Sequence, residues 1–139
     1  MSAERFFVDT NVLVYAFDRT SPTKRTIAGK LLKTKGWQIS WQVIQEFAHV
    51  ARHRFAEPFK PTDLADYLDL VLWPRCTVLP SADVYRQALL LHEVSQYRFY
   101  DSLIVAGALV SDAEVLYSED LQDGREFGSL RIVNPFRAD

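Results

Sequence analysis

The 139-residue sequence contains few cysteines and no long apolar run, and each scarcity excludes a class of protein. Its single cysteine, Cys76, rules out an internal disulfide framework and a thiolate-rich zinc site. We therefore expect a reducing compartment, the cytoplasm, and the sequence shows no signal-peptide pattern. The longest apolar run, residues 103–110, is much shorter than the roughly 20 residues that span a bilayer. We expect a soluble protein with no membrane partner.

The sequence also lacks an excess of positive charge. Its 16 Lys and Arg residues face 18 Asp and Glu residues, so the formal net charge is -2. Proteins that coat nucleic acid without selectivity are usually basic overall, and this class is disfavoured. A nuclease is not excluded, because carboxylates gathered in a metal site make the net charge more negative without changing a basic rim elsewhere.

What the sequence does have is ample core material, with 48% hydrophobic and 13% aromatic residues. This content and the length suit a single domain over residues 1–139. Short β-prone apolar segments alternate with amphipathic helical segments, which is typical of a parallel sheet covered by helices on both faces. We predict an α/β fold with three layers, α/β/α, around a mostly parallel sheet of about five strands. The predicted strands are residues 6–8, 37–40, 76–79, 115–118 and 131–133.

The intervening segments predict helices. One helix follows the first strand, and Thr20 or Ser21 can cap the next, which Gly36 ends. Further helices are predicted at 41–55, from Thr62 or Asp63 up to Pro74, at 80–95 and at 101–110.

Asp9 is placed at the carboxyl end of the first predicted strand. In open parallel sheets ligands bind at that edge. The carboxylate could hold a metal ion while the Thr10 hydroxyl and the Asn11 amide orient it. Taken alone, this stretch favours a simpler interpretation, in which Asp9 or Thr10 caps the following helix.

Three other acids fall at comparable places. Asp120 follows the fourth strand, Glu46 lies in the helix after the second strand, and Asp101 heads a helix as an N-cap or as a carboxylate directed into a pocket. Four carboxylates in one pocket require cations or retained protons. Oxygen ligands favour Mg²⁺ or Mn²⁺, and such ions serve phosphodiester cleavage well. Spacing alone does not single out Glu46.

An ordered set of motifs covers most of the chain. These are Val-Asp-Thr-Asn-Val-Leu-Val-Tyr-Ala-Phe at 8–17, Gln-Glu-Phe at 45–47, Tyr-Asp-Ser-Leu-Ile-Val-Ala-Gly-Ala at 100–108, Leu-Tyr-Ser-Glu-Asp-Leu-Gln-Asp-Gly at 116–124 and Arg-Ile-Val-Asn-Pro-Phe at 131–136. In this set the chain resembles PIN-domain ribonucleases and, more narrowly, the VapC toxins of bacterial toxin-antitoxin pairs.

The resemblance implies a Mg²⁺- or Mn²⁺-dependent endoribonuclease that leaves a 5′-phosphate and a 3′-hydroxyl. It implies that the metal-binding and catalytic acids are Asp9, Glu46, Asp101 and Asp120, supported by Thr10, Asn11 and Ser118. Glu119 and Asp123 are close enough to replace Asp120. The resemblance also implies a homodimer neutralised by a VapB-like antitoxin, whose tail lies in the active-site groove.

Cationic side chains at the rim of the site could hold RNA phosphates. The candidates are Arg19, Lys24, Arg52, Arg54, Arg98 and Arg125. Tyr97, Phe99 and Tyr100 could stack on unpaired bases, although packing is the simpler use for them. The basic face of the second helix, which carries Arg25, is interpreted as solvated surface.

Three rival functions compete with this one, and two of them lack a residue that they need. A haloacid-dehalogenase-type enzyme would need a second Asp where this chain has Asn11, and a response-regulator receiver would need an Asp where it has Leu79 and Pro80. The stronger rival is a catalytically silent PIN module that binds RNA or a protein partner.

Overall fold

A six-stranded sheet forms the centre of the fold. The structure is a computed structural model, and it describes residues 5–137. The strands are β1 (Phe6–Val8), β2 (Trp37–Ser40), β3 (Cys76–Val78), β4 (Val115–Tyr117), β5 (Glu126–Phe127) and β6 (Leu130–Val133). They lie in the order β3-β2-β1-β4-β6-β5, and all neighbours are parallel except β5, which is antiparallel to β6. The first strand of the chain therefore lies inside the sheet.

Helices flank this sheet in two packed groups. Helices α1 (Thr10–Tyr15), α2 (Pro22–Lys33), α3 (Trp41–His53) and α4 (Pro61–Tyr67) form one group, and α5 (Ala82–Ser95) packs against α6 (Phe99–Val110) in the other. A π-helical turn, Leu68–Leu72, and a 3₁₀ turn, Trp73–Arg75, connect α4 to β3. The predicted three-layer α/β/α class with a mostly parallel sheet is confirmed.

The sequences of β1 and α6 are almost entirely apolar because both elements are buried in the core. Phe7 and Val8 of β1 have no exposed surface, as expected for a strand that is covered on both faces. In α6 every residue from 102 to 108 is buried, so this helix is surrounded by protein on all sides.

Of the two interpretations offered for Asp101, the one in which it begins the helix as its N-cap was wrong. Helix α6 begins at Phe99, with Arg98 in the N-cap position, so that Asp101 lies in the first turn. Phe99 extends the helix because its ring stacks on Tyr85 of α5, with centroids 6.3 Å apart. The Asp101 carboxylate is still close to the positive end of the helix.

The predicted count of about five strands missed β5. Phe127 pairs with Leu130 across a two-residue turn that begins at Gly128, whose φ of 59° suits that position. A strand of two residues is too short to show the alternation that identifies strands. Other predicted boundaries differ by one or two residues at α2, α3 and α5, and Ser81 caps α5 as expected, accepting a hydrogen bond from the Val84 amide at 3.2 Å. The helix predicted from Thr62 or Asp63 up to Pro74 begins at Pro61, and its α-helical part ends earlier than predicted, at Tyr67, where the π-helical turn follows.

Within residues 5–137, none of the helices has the length and apolar character needed to cross a membrane.

Candidate active site

The carboxyl ends of three neighbouring parallel strands bring the candidate acids together. Asp9 follows β1, and its amide donates to the Tyr117 carbonyl of β4 at 3.0 Å. Asp120 follows β4, and Glu46 lies in α3, the helix that leaves β2. Because β2, β1 and β4 are adjacent, these segments emerge at one edge of the sheet. Asp101 reaches the same edge from the first turn of α6.

Asp9 is the most buried of the four acids, with 7% of its surface exposed. Its Oδ1 accepts a hydrogen bond from the Thr10 amide at 2.7 Å, so the residue is the N-cap of α1. Its Oδ2 accepts a bond from the Ser118 hydroxyl at 2.8 Å. The cap interpretation is therefore confirmed, and it uses only one of the two carboxylate oxygens.

Glu46 connects α3 to α1 at the rim of the site. Its Oε1 accepts a hydrogen bond from the Thr10 hydroxyl at 2.9 Å, while the side chain stays exposed. Val43, one helical turn before Glu46, is fully buried, so the side of α3 next to Glu46 also contributes to the core.

Asn11 and Ser118 connect Asp120 to Asp9. The Asn11 side-chain amide donates to Asp120 Oδ2 at 3.2 Å and to the Ser118 oxygen at 3.4 Å. The same serine oxygen accepts from the Asp120 amide at 3.2 Å. The three polar positions predicted as supporting, Thr10, Asn11 and Ser118, thus each contact at least one of the four acids.

The electrostatics show that the four acids share one region. Burial raises the pKa of Asp9 from its usual 3.8 to about 7, the Ser118 and Thr10 hydrogen bonds oppose this, and repulsion from Glu46 and Asp120 adds to it. The pKa of Glu46 is also raised, mainly by partial desolvation and further by Asp101 and Asp120. The pKa of Asp101 is raised by desolvation and by Asp120, and Arg98 partly compensates.

The two acids that could have replaced Asp120 are engaged elsewhere. Glu119 forms an ion pair with Lys24 and accepts a hydrogen bond from the Tyr15 hydroxyl at 2.6 Å. Asp123 accepts from the Asn134 amide at 2.8 Å and pairs with Arg137 at 3.0 Å. Asp120 is therefore the acid of this loop that remains directed toward Asp9.

The donor set fits a hard divalent cation. All the candidate ligands are oxygens, and none of the four acids forms a salt bridge with any residue between 5 and 137. The described residues thus offer these acids little compensation when they are ionised, apart from Arg98 near Asp101. In the same part of the chain, no three acidic, histidine or cysteine side chains are close enough together to form a ready-made metal cluster.

The predicted phosphate-binding residues have different surroundings. Arg52 donates to the Phe59 carbonyl at 2.7 Å, Arg125 donates to the Ser95 carbonyl at 3.1 Å and to the Gln122 side chain, and Lys24 pairs with Glu119. Arg98 lies near Asp101, and Arg19 and Arg54 line a cavity described below.

Sequence reasoning missed the residues that hold Glu119. Tyr15 packs edge-on against Phe136, with centroids 4.8 Å apart, and the Lys24 ammonium lies 4.7 Å from the Tyr15 ring centre. Nothing local in the sequence indicates a contact between α1, α2 and the loop after β4. The 104-residue separation between Tyr15 and Glu119 puts it beyond any periodic pattern.

Comparison with known proteins identifies the family and several structures with a similar fold. The family model of the PIN domain matches residues 6–122, whereas the comparison with curated proteins gives no match. A toxin-antitoxin complex from Klebsiella pneumoniae has a similar structure, with a TM-score of 0.68 and 19% identity over 95% of this chain and 98% of that one.

Two further solved structures are similar. VapBC2 from Rickettsia felis, bound to a DNA fragment from its promoter, has a TM-score of 0.59 and 20% identity, over 91% of this chain and 96% of that one. VapC20 from Mycobacterium tuberculosis, a toxin that cleaves the sarcin-ricin loop, has a TM-score of 0.59 and 20% identity, over 83% of this chain and 89% of that one. At such identities the structures show a shared fold, and the family model, which spans most of the sequence, adds the family. The chain belongs to the PIN domain family.

Proposed function

We propose that this protein is a Mg²⁺- or Mn²⁺-dependent endoribonuclease toxin of the VapC type. It cleaves single-stranded or loop RNA by two-metal phosphodiester hydrolysis, in the cytoplasm, as a single PIN domain. PIN domains are generally nucleases, and the similar structures described above include toxin-antitoxin complexes and a toxin that cleaves an RNA loop.

One observation carries the proposal: four carboxylates from four separate segments repel one another in a connected set. The buried Asp9 is affected by Glu46 and Asp120, and Asp101 interacts with the same two acids. Repelling acids in a partly desolvated pocket raise one another's pKa and cost stability unless a cation balances them. A fold retains such an arrangement where its chemistry needs it.

The four acids have different tasks in this proposal. Asp9, Asp101 and Asp120 hold the ions, and Asn11 and Ser118 keep the carboxylates of Asp9 and Asp120 oriented. When bound, the ions lower the pKa of a coordinated water and stabilise the leaving oxygen. Glu46 also belongs to the metal-binding set. Its Oε2 has no hydrogen-bond partner among residues 5–137, and its raised pKa suits a group that accepts a proton from the attacking water.

The proposed partners are RNA, a second copy of the chain and a VapB-like antitoxin. The K. pneumoniae and R. felis structures are toxin-antitoxin assemblies, and the present chain covers 98% and 96% of the matched chains. An antitoxin whose tail enters the acidic groove would block access to Asp9.

The alternative is a PIN module that binds RNA or a protein without cleavage. It is favoured by the lack of a ready-made cluster of three metal ligands between residues 5 and 137. Calorimetric titration with Mn²⁺ separates the two functions. The nuclease binds the ion and loses both binding and cleavage in Asp9→Asn and Asp101→Asn, whereas a binding-only module gives no heat of binding.

Mapping of RNA 5′ ends after brief induction tests the function in cells. Wild type is expected to produce new 5′-phosphate ends that are absent with Asp9→Asn. The matched control is Asp83→Asn, which removes an exposed acid on α5 whose one ion pair among residues 5–137 is with Arg86, and it should cleave like wild type. If the ends from wild type and Asp9→Asn are indistinguishable, the nuclease proposal is wrong.

A further inference from the structure

A cavity of about 680 Å³ lies beside the acidic site and has a different chemistry. It is bounded by the end of α1, the start of α2 and the end of α3 with the segment that follows. Three aromatic rings, Phe17, Phe55 and Phe59, and three arginines, Arg19, Arg25 and Arg54, line it, whereas none of the four candidate acids does.

The cavity is close to the acids along two helices. The contact between Thr10 and Glu46 joins α1 to α3 at the acidic site. Val14 and Val50, each four residues further along its helix, line the cavity. Four residues of α-helix advance about 6 Å. An RNA strand with one phosphate at the acids can therefore place its adjacent nucleotide in the cavity.

The aromatic wall offers a ring face to a ligand. Phe17 is 36% exposed, and its ring meets Phe59 edge-on with centroids 5.3 Å apart and lies 5.8 Å from Phe55. These neighbours, together with Phe47 and Tyr67, fix the ring in place. A fixed and partly exposed ring is the kind of platform on which unpaired bases stack.

The charge of the wall is complementary to phosphate. Arg19, Arg25 and Arg54 are exposed, and their guanidinium groups form no hydrogen bond or ion pair with any residue in the part of the chain that the structure describes. Two acids also line the cavity. Asp18 is occupied within its own turn, where it accepts from the Thr20 amide at 2.9 Å and from the Thr20 hydroxyl, and Glu57 is exposed. Three free cationic groups are thus concentrated on a chain whose net charge is -2.

We propose that this cavity binds an unpaired nucleotide of the RNA substrate adjacent to the scissile phosphate. The base stacks on Phe17, and the flanking phosphates bind the three arginines. This inference rests on the proposed nuclease function, whose substrate is single-stranded or loop RNA, and adds to it a binding site for one unpaired nucleotide next to the cleavage position. A base held in a duplex cannot leave its stack to enter the cavity without breaking its pair.

Fluorescence anisotropy with defined RNA probes tests the proposal. All proteins carry Asp9→Asn so that the RNA stays intact. The probes are a labelled 12-nucleotide single strand of mixed sequence, an abasic ribose-phosphate strand of the same length and a 12-base-pair duplex. The variants are the triple Arg19→Gln, Arg25→Gln, Arg54→Gln and the single Phe17→Leu. The matched control is the triple Lys30→Gln, Lys33→Gln, Lys35→Gln, which removes the same charge from the other end of α2 and the residues after it.

The expected results differ between the two kinds of variant. The arginine triple weakens binding of the single strand at least tenfold, and it lowers the dependence of log Kd on log salt by about 2, since each phosphate contact on a single strand contributes roughly 0.7. Phe17→Leu weakens the single strand by roughly tenfold and leaves the abasic strand unchanged. The lysine control changes neither quantity by a comparable amount.

Three outcomes would overturn the inference. In the first, the arginine triple behaves like the lysine triple. In the second, Phe17→Leu weakens the abasic strand as much as the mixed-sequence strand, which would indicate disturbed folding. In the third, the cavity variants keep RNA affinity and lose a co-expressed protein partner, which would identify a protein-docking surface. If, in any of these cases, the wild-type protein cleaves RNA and Asp9→Asn does not, the nuclease proposal stands. If no RNA is bound or cleaved, both proposals are wrong.

Discussion

Ser118 is the single residue through which the candidate site is most tightly connected. Its hydroxyl is fully buried, donates to Asp9 and accepts from the Asp120 amide. It therefore orients one acid and fixes the backbone of another. Side chains that orient metal-binding carboxylates typically change metal affinity or activity by 10- to 100-fold when removed.

Ser118→Ala is expected to reduce cleavage by about tenfold or more and to lower stability by about 1–2 kcal/mol, because the Asp9 carboxylate loses a buried donor. Cleavage assays and urea denaturation measure the two effects. The control is Ser111→Ala, which removes a hydroxyl that donates to the Ala108 carbonyl at 2.8 Å, far along α6 from Asp101. Equal activity losses in the two variants would contradict the role of Ser118.

The proton on Asp9 gives a pH dependence with a definite sign. The unfolded chain releases it near the usual pKa of about 3.9, whereas the folded protein keeps it until about pH 7. Between these values the folded state binds more protons, so the contribution is fully present below pH 4 and is lost as the pH rises to 7. The loss for this group amounts to at most about 4 kcal/mol.

In the presence of a chelator, we therefore expect wild type to lose stability from pH 5 to pH 7 and Asp9→Asn to lose distinctly less. Urea denaturation at pH 5, 6 and 7 measures the difference. Glu46 and Asp101, whose pKa values are also raised, leave a residual slope in both proteins. Parallel profiles for the two proteins would show that burial of Asp9 does not raise its pKa.

At the scale of single residues, the resemblance assigned the fourth acid to Asp120, but local sequence does not distinguish it from Glu119 and Asp123. All three are acidic, close together and compatible with a loop after a strand. Their difference lies in partners remote in sequence, namely Lys24 and Tyr15 for Glu119. Such a distinction requires the tertiary structure.

Among the elements, α6 shows how packing decides what local pattern cannot. Its apolar run predicted a buried helix, and the structure confirms that. Its start was predicted at residue 101, two residues late, because Phe99 and Tyr100 precede the apolar run that indicated the helix. The stacking of Phe99 on Tyr85, a contact between two helices, stabilises these two additional helical residues. The β5 strand was missed for a related reason, since it exists only by pairing with β6.

Gly107 provides a test of the packing between α6 and the sheet. A Cβ at this position would lie 3.5 Å from Phe7 Cζ and 3.6 Å from Ser40 Cβ, which is ordinary contact distance. Gly107→Ala is therefore expected to raise the free energy of unfolding by about 0.5–1 kcal/mol through helix propensity. Gly107→Leu should lower it by about 1–3 kcal/mol, because its further atoms have no space in this core. Urea denaturation measures both, and a destabilised alanine variant would contradict this packing.

For the molecule as a whole, the site is a product of the complete sheet. The four acids come from segments separated by up to 111 residues and meet only when β2, β1 and β4 are adjacent. An ion that binds them binds the folded state and not the unfolded chain, and such binding stabilises the fold by mass action.

We therefore expect Mn²⁺ at about 100 times its Kd to stabilise wild type by about 2.7 kcal/mol, which is a rise of several degrees in Tm. Asp9→Asn and Asp101→Asn should show little or no shift, and Asp83→Asn should match wild type. Thermal unfolding with and without the ion measures this. A shift of equal size in all four proteins would indicate that the ion binds elsewhere.

The position of β1 between β2 and β4 also has a consequence for translation. β1 is made before the other five strands described here but acquires its second neighbour only after residues 115–117 have been made, and Asp120 emerges later still. In a nascent chain that ends before residue 120, the four acids have not yet been brought together. The ribosome and the messenger that produce the protein are thus spared its proposed chemistry until synthesis has passed the fourth acid.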